Sequence, residues 1–277
     1  MLSHLILKKI IAQGHVMQHR PSYKQMQIQL KPKKMQDSSI SISPLTVAVV
    51  GLLKAGKSTL LNAMTGQDEL FKSGVIRTTV KNQRVTDGYF EWIDTPGIDD
   101  TDQETTTAFA GLKNADCILF AHNLKQGELD RMEVDFLQTC NQLDAQFLAK
   151  LRFVFTHIDD LDSEDVEIIQ QKICQQCQSV FNKQFPTIAV SSVRYLKGYK
   201  ENKKLLMEKS AIPLLRQQLA QLYLLKQRDI ALSQVQQLKR QLNVQLQRIH
   251  QSLTTLQCKF PVKLQPASKP KLRHFTW

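Results

Sequence analysis

Residues 45–66 read LTVAVVGLLKAGKSTLLNAMTG. The first six are apolar and β-branched without alternation, the pattern of a strand buried on both faces. Residues 51–58 fit G-x-x-x-x-G-K-[ST] without a mismatch. Lys57 to Thr65 then reads as a helix, closed by Gly66. A strand before the motif and a helix after it are the context this motif needs. In such a loop the backbone N–H groups of Gly51, Lys54, Ala55, Gly56, Lys57, Ser58 and Thr59 turn inward to form an anion nest. Gly56 lets the backbone approach phosphate without a Cβ in the way. The helix N-terminus adds its positive dipole end. Lys57 reaches the β- and γ-phosphates, and the Ser58 hydroxyl ligates Mg²⁺.

Working outward, residues 82–86 and 89–93 flank Asp87-Gly88, a hairpin signal, so two strands here run antiparallel. Residues 116–122 read as a strand, 128–143 as a helix, 151–156 as a strand and 163–181 as a helix. Residues 186–190 lead into a further strand. This alternation predicts an α/β fold, with a six-stranded, mostly parallel sheet, one antiparallel strand and helices on both faces. From Ile212, with Pro213 in its first turn, the chain reads as helix. Val235, Leu242, Ile249 and Leu256 recur every seven residues. Leu225, Leu232, Leu246 and Leu253 form a second track, interrupted by Lys239. Such heptads suit a coiled coil or helical arm, or one long helix folded back on the domain.

The stretch from Tyr89 to Asp94 closes on Asp94-Thr95-Pro96-Gly97. An acid at the carboxyl end of a buried strand lies where ligands bind in these sheets. Asp94 is placed to hold Mg²⁺, and the Gly97 N–H to bond the γ-phosphate. With these residues in place, the chain resembles the translation-factor-related P-loop GTPases, most closely the Era-like and dynamin-like branches. GLLKAGKST, Arg77-Thr78-Thr79, DTPG and Thr156-His157-Ile158-Asp159 carry the resemblance in family order, and Val190-Ser191-Ser192 matches more loosely. The resemblance implies a GTPase domain over 45–225, with switch loops over 68–81 and 97–105 and GTP hydrolysed to GDP and phosphate. By it, Thr79 ligates Mg²⁺ in the triphosphate state, with Thr78 as a rival. Thr156, His157 and Asp159 form the guanine-reading loop, and Ser191 and Ser192 set a backbone N–H near the guanine O6. The Asp159 carboxylate accepts two hydrogen bonds that adenine does not offer. Asp159 and Asp160 also read as acids capping a turn before Leu161.

Two positions depart from the family pattern. His157 stands where the family has Lys. Ile98 follows DTPG where many small GTPases carry a water-positioning Gln, so intrinsic hydrolysis is expected to be slow. Relatives use a monovalent cation held through an Asn or Ser of the phosphate loop. Lys54 occupies that position and is expected to supply the positive charge itself, or else to face solvent. Arg77 reads either as a charge-stabilising finger or as an ordinary loop base.

The 277-residue chain carries a net charge of +12, unevenly spread. Residues 1–44 hold seven Lys or Arg against one acid, and residues 259–277 hold five bases and no acid. The middle is nearly neutral. Basic ends attract a polyanion, either an anionic lipid surface or nucleic acid, or are solvated tails. Residues 1–12, MLSHLILKKIIA, read as a short amphipathic helix lying on a membrane, or as an extension upstream of a start at Met17, Met26 or Met35. Residues 226–258 are read as a helical arm and 259–277 as a basic tail. No run approaches the roughly 20 apolar residues that span a bilayer. A cytoplasmic protein is expected, with peripheral membrane contact and a homodimer through the GTPase domain or the arm. RNA is the lesser partner reading, since no KH-type GXXG is visible. A P-loop ATPase is the remaining alternative. Cys174 and Cys177 form a C-x-x-C without a second pair at zinc spacing.

Overall fold

The structure is a computed structural model, and it describes residues 43–67, 70–71, 83–98, 109 and 111–259. The Arg77–Thr79 segment, most of both expected switch loops, the first 42 residues and the tail beyond 259 lie outside the described residues.

Six strands form one sheet: β1 (Leu45–Val50), β2 (Gln83–Asp87), β3 (Phe90–Asp94), β4 (Cys117–Asn123), β5 (Leu151–Thr156) and β6 (Thr187–Ala189). Their order is β2-β3-β1-β4-β5-β6. Every pairing is parallel except β2 with β3. β1 therefore sits between β3 and β4, and the chain after it emerges where the strand order reverses, the crevice in which such sheets bind ligands.

The helices are α1 (Lys57–Thr65), α2 (Arg131–Leu143), α3 (Phe147–Lys150), α4 (Ser163–Phe181), α5 (Ser192–Lys200), α6 (Lys204–Glu208) and α7 (Ile212–Lys259). Successive strand residues face opposite sides, and the core divides accordingly. Ala48, Val50, Phe120, Phe153 and Phe155 pack with α2 and α4, whereas Val47, Val49, Leu119 and Val154 pack with α1, α5 and the start of α7. Each fully buried Phe or Leu is worth roughly 1.5–3 kcal/mol. The continuous apolar runs of β1 and β4 thus reflect a sheet covered on both faces.

Two of the boundaries that differ from the sequence reading have a visible cause. Asp87 pairs with Phe90 as the last rung of the hairpin, so the turn is Gly88-Tyr89, with Gly88 at φ 57°. Helix α2 starts at Arg131 rather than 128, because Asp130 and Glu133 form a reciprocal capping box. Ahead of it, residues 124–126 make one 3₁₀ turn. Cys177 is a core residue of α4, and burial pushes its thiol up to about 12.

Helix α7 roots on the domain at the sheet end opposite the phosphate loop. Arg216 bonds the Ala63 and Met64 carbonyls at the C-terminus of α1, and its guanidinium lies 5.5 Å from the Tyr195 ring. Tyr223 packs on Tyr89, with ring centroids 4.9 Å apart. Lys226 pairs with Asp116 at 2.6 Å, and Gln227 donates to Ser43 O at 2.7 Å. Past these contacts the helix runs on as an exposed rod. Among the described residues no helix is long and apolar enough to cross a membrane.

Candidate functional site

The β1–α1 connection adopts the conformation its sequence requires. A methyl group on Gly51 would come within 2.2 Å of the Ala121 carbonyl oxygen, so only glycine fits against β4 there. Gly56 caps α1 at φ 82°, in the left-handed region that glycine enters freely. Lys57 Nζ donates to Gly51 O at 2.9 Å and Leu52 O at 2.8 Å, which holds the ammonium across the loop's mouth. Lys54 is exposed and left-handed, at φ 62°. Thr59 follows on the first turn of α1, half-buried.

Asp94, at the end of β3, reaches the same mouth. Ser58 Oγ donates to its Oδ2 at 3.4 Å. Its Oδ1 is buried without a hydrogen-bond partner among the described residues. Burial pushes the carboxyl up to about 6, against the opposing pull of the Lys57 charge and the Ser58 hydrogen bond. An orphaned carboxylate oxygen beside a serine hydroxyl is an incomplete oxygen ligand set of the kind Mg²⁺ takes, completed by water and phosphate oxygens. Thr95 ties the following turn back, its N–H and hydroxyl both reaching Val49 O, at 3.3 and 2.8 Å. Gly97 follows at the rim, half-buried, and the side chain of Ile98 packs into the core at 4% exposure. Ile98 therefore cannot present a group to a water molecule.

The base-reading candidates gather on the other side of the loop. The Thr156 hydroxyl donates to Ala55 O at 2.8 Å, with His122 O at 3.1 Å as the alternative acceptor. His157 Nδ1 lies 2.9 Å from the same hydroxyl. His157 is left-handed at φ 58°, and a Cβ on Gly56 would meet its Cε1 at 3.2 Å. The ring thus packs against the phosphate loop although the family's Lys is gone. Burial first, then the Lys125 charge, holds its pKa below the ordinary imidazole value, so it is neutral at neutral pH. Asp159 Oδ2 accepts from Ser191 Oγ at 2.5 Å. Ser192 Oγ is buried without a partner among the described residues. Asp160 instead pairs at the surface with Lys125, at 3.0 Å.

Asp94, Thr156 and His157 thus contact the phosphate loop, and Asp159 and Ser191 bond each other beyond His157. Thr79 lies outside the described residues. Two partners go beyond the sequence reading. Arg194 Nη2 lies 2.9 Å from Asp159 Oδ1, because Ser191 caps α5 and brings position 194 round beside the loop. The signal is a serine three residues before a base, in a segment whose Gly198 and aromatic residues obscure the helix.

His122, on β4, is the second. Its Nδ1 lies 2.9 and 3.0 Å from the two Glu133 carboxylate oxygens, and its Nε2 lies 2.9 Å from Gly127 O. Both ring nitrogens face acceptors and the side chain is wholly buried, so the charged imidazolium satisfies the site. Burial opposes that charge, but the Glu133 hydrogen bond and charge and the Gly127 carbonyl raise the pKa above its ordinary 6.5. The native state then holds a proton that the unfolded chain releases above 6.5. This stability is fully present below that pH and is lost as pH rises through the folded value. We expect the melting temperature to fall as pH climbs from 6.5. Glu133→Gln should flatten that slope and cost about 3–5 kcal/mol, as breaking a buried pair does. Melting curves across pH for both proteins check this.

Among the described residues, no group of three or more His, Cys, Asp or Glu could hold a metal. A family model described as a 50S ribosome-binding GTPase matches residues 46–183. An uncharacterised protein of Acinetobacter baylyi is 32% identical over 182 residues, covering 64% of this chain and 42% of that protein. The tRNA modification GTPase MnmE of Salinibacter ruber is 35% identical over 101 residues, covering 33% of this chain and 22% of the relative. The chain thus spans less than half the length of these relatives. In a solved structure of an oligomerised bacterial dynamin pair, one chain superposes with a TM-score of 0.60 at 18% identity, over 78% of this chain and 52% of the other. That likeness is one of fold. With the phosphate loop and DTPG in the geometry above, residues 46–183 form a P-loop GTPase domain, and through it the chain belongs to the P-loop GTPases.

Proposed function

We propose that the protein binds Mg²⁺-GTP across the mouth of this loop and hydrolyses it to GDP and phosphate, with movement of switch loops over 68–81 and 97–105. One observation carries the reading. The phosphate loop and the base-reading loop are joined by the Thr156 hydroxyl on Ala55 O and by His157 against Gly56. A nucleotide's two ends would thus be read by two loops that are tied to each other. In this reading Gly51, Lys54, Ala55, Gly56, Lys57, Ser58 and Thr59 cradle the phosphates. Ser58, Asp94 and Thr79 hold Mg²⁺, which neutralises charge on the β- and γ-oxygens. The Gly97 N–H bonds the γ-phosphate. Thr156, His157, Asp159, Ser191 and Ser192 hold the guanine. Turnover of GTP against ATP in Mg²⁺ tests this, and equal turnover of the two would favour a P-loop ATPase instead.

Lys54 supplies the charge that related enzymes take from a monovalent cation. A non-glycine residue in the left-handed region costs roughly 1–2 kcal/mol, and such strain gathers at functional sites. Replacing Na⁺ by K⁺ should leave the rate within about twofold, while Lys54→Ala should lower kcat by about 10–100-fold. A clear rise in rate with K⁺ in the parent protein contradicts this role.

For the cellular partner we favour a dynamin-like role at an anionic membrane surface in the cytoplasm, supported by the basic ends and by the exposed α7. In this reading the G domain spans 45–225 and the arm 226–258, with the first residues of the arm, Lys226 and Gln227, still docked on the domain. An Era-like role on RNA or the ribosome is the second reading, favoured by the description of the matching family. Co-sedimentation with phosphatidylserine vesicles against gel shift with ribosomal RNA separates the two.

A further inference from the structure

Among the described residues, the distal part of α7 carries two unpartnered apolar columns. Leu232, Leu246 and Leu253 form one, and Val235, Leu242 and Ile249 the other, each 48–56% exposed. The columns alternate at three- and four-residue steps and repeat every seven, which places them at the a and d positions of a heptad. An a/d seam is narrow and suits a second helix better than a sheet or a lipid surface.

The seam's flanks say which helix. From 230 to 259 the chain has no Asp or Glu. Up to Cys258 the flanking e and g positions hold no Lys or Arg either, with Gln236, Asn243, Gln245 and Ser252 among them, and Lys259 falls at the last g position. Arg240 and Arg248 fall at b and c, on the outer face. There is no charge code here for an oppositely charged foreign helix, and a second copy of the same helix meets no repulsion along its flanks. Lys239 is the exception, at an a position in the middle of the seam. In a parallel, in-register pair it would face itself, and so would Arg228 at a d position. In an antiparallel pair, a residues meet d residues, so Lys239 packs its stem on an aliphatic neighbour and carries its ammonium to the edge.

We propose that two copies of this chain associate through an antiparallel coiled coil of their α7 arms, centred near residue 244. In that register Val235 packs on Leu253 of the second copy, Lys239 on its Ile249 and Leu242 on its Leu246. Arg228 and the docked root stay outside the seam. The two GTPase domains then hang from opposite ends of the rod. Gln227 is 17 residues from the centre, so at 1.5 Å per residue the roots stand about 50 Å apart. The nucleotide sites do not meet, and each works alone. This inference is independent of the nucleotide assignment.

The test uses the full chain without nucleotide. Light scattering or sedimentation should report a dimer at micromolar concentration. Leu242→Glu with Leu246→Glu should give a monomer whose GTPase-domain melting is unchanged and whose turnover per site stays within twofold of the parent. Orientation is read from a nitroxide on Cys258, which is exposed, in a Cys174→Ser background. Antiparallel pairing in this register sets the two labels about 40 Å apart along the rod, while parallel pairing brings them within about 20 Å. A monomeric parent, a higher oligomer or the short distance overturns the proposal. So does a monomeric parent that floats with phosphatidylserine vesicles through the same leucines.

Discussion

Lys57→Ala is expected to weaken GTP binding by about 100–1000-fold and to leave no measurable hydrolysis. The ammonium is held across the mouth of the phosphate loop, 2.9 Å from Gly51 O and 2.8 Å from Leu52 O. On the proposed reading, the same group would exchange these carbonyls for the β- and γ-oxygens of a bound nucleotide. Charge-assisted bonds of this kind contribute about 1.5–3 kcal/mol each. Lys57 also acts on Asp94, whose buried carboxyl it pulls toward the ionised form. Its loss therefore strikes the cation site as well as the phosphate. GDP, which lacks the γ-phosphate, should lose less than GTP. Titration with fluorescent guanine nucleotides, alongside single-turnover hydrolysis, measures both effects. Binding equal to that of the parent would mean the loop holds no phosphate.

Asp159→Asn should exchange base specificity. Guanine presents two donors, its N1–H and its N2 amine, to a carboxylate that only accepts. An amide offers one acceptor and one donor, which match the N1–H and the C2 oxygen of xanthine. GTP should therefore bind about 10²–10⁴-fold more weakly, because a donor now faces a donor with no water to relieve it. Xanthosine triphosphate should gain, and ATP should change little. Ser191 holds Oδ2 and Arg194 holds Oδ1, so the side chain is kept in place on both oxygens. Asp160→Asn is the control. Its carboxylate is 64% exposed and pairs with Lys125 at the surface, so base preference should not move. Competition among the three triphosphates for each variant decides between a base-reading carboxylate and a turn-capping one.

Much of this arrangement is legible in the chain because its signals are local. The strand before Gly51, the loop itself and the helix to Thr65 lie within one short stretch. Helix α4 and strand β5 begin and end where their periodicity does, since a clear apolar face runs against polar neighbours. The misplaced boundaries come from single residues that override the periodicity. The start of α2 is set by the Asp130–Glu133 exchange, and the hairpin turn by Gly88 rather than by the Asp87-Gly88 pair. Helix α5 is hidden because glycine and aromatic residues weaken its propensity. Its Ser191 cap and the burial of Tyr195 settle it. His122 looks like the end of a strand in the sequence. Its charge depends on a carboxylate eleven residues away, brought into register only by the folded helix.

The most direct test of guanine reading at this site is the affinity of the parent protein for guanine against adenine diphosphate, measured by calorimetry in Mg²⁺. GDP is predicted to bind at least about 100-fold more tightly than ADP, as a carboxylate reading two base donors requires. Equal affinities, with both nucleotides bound, would contradict it.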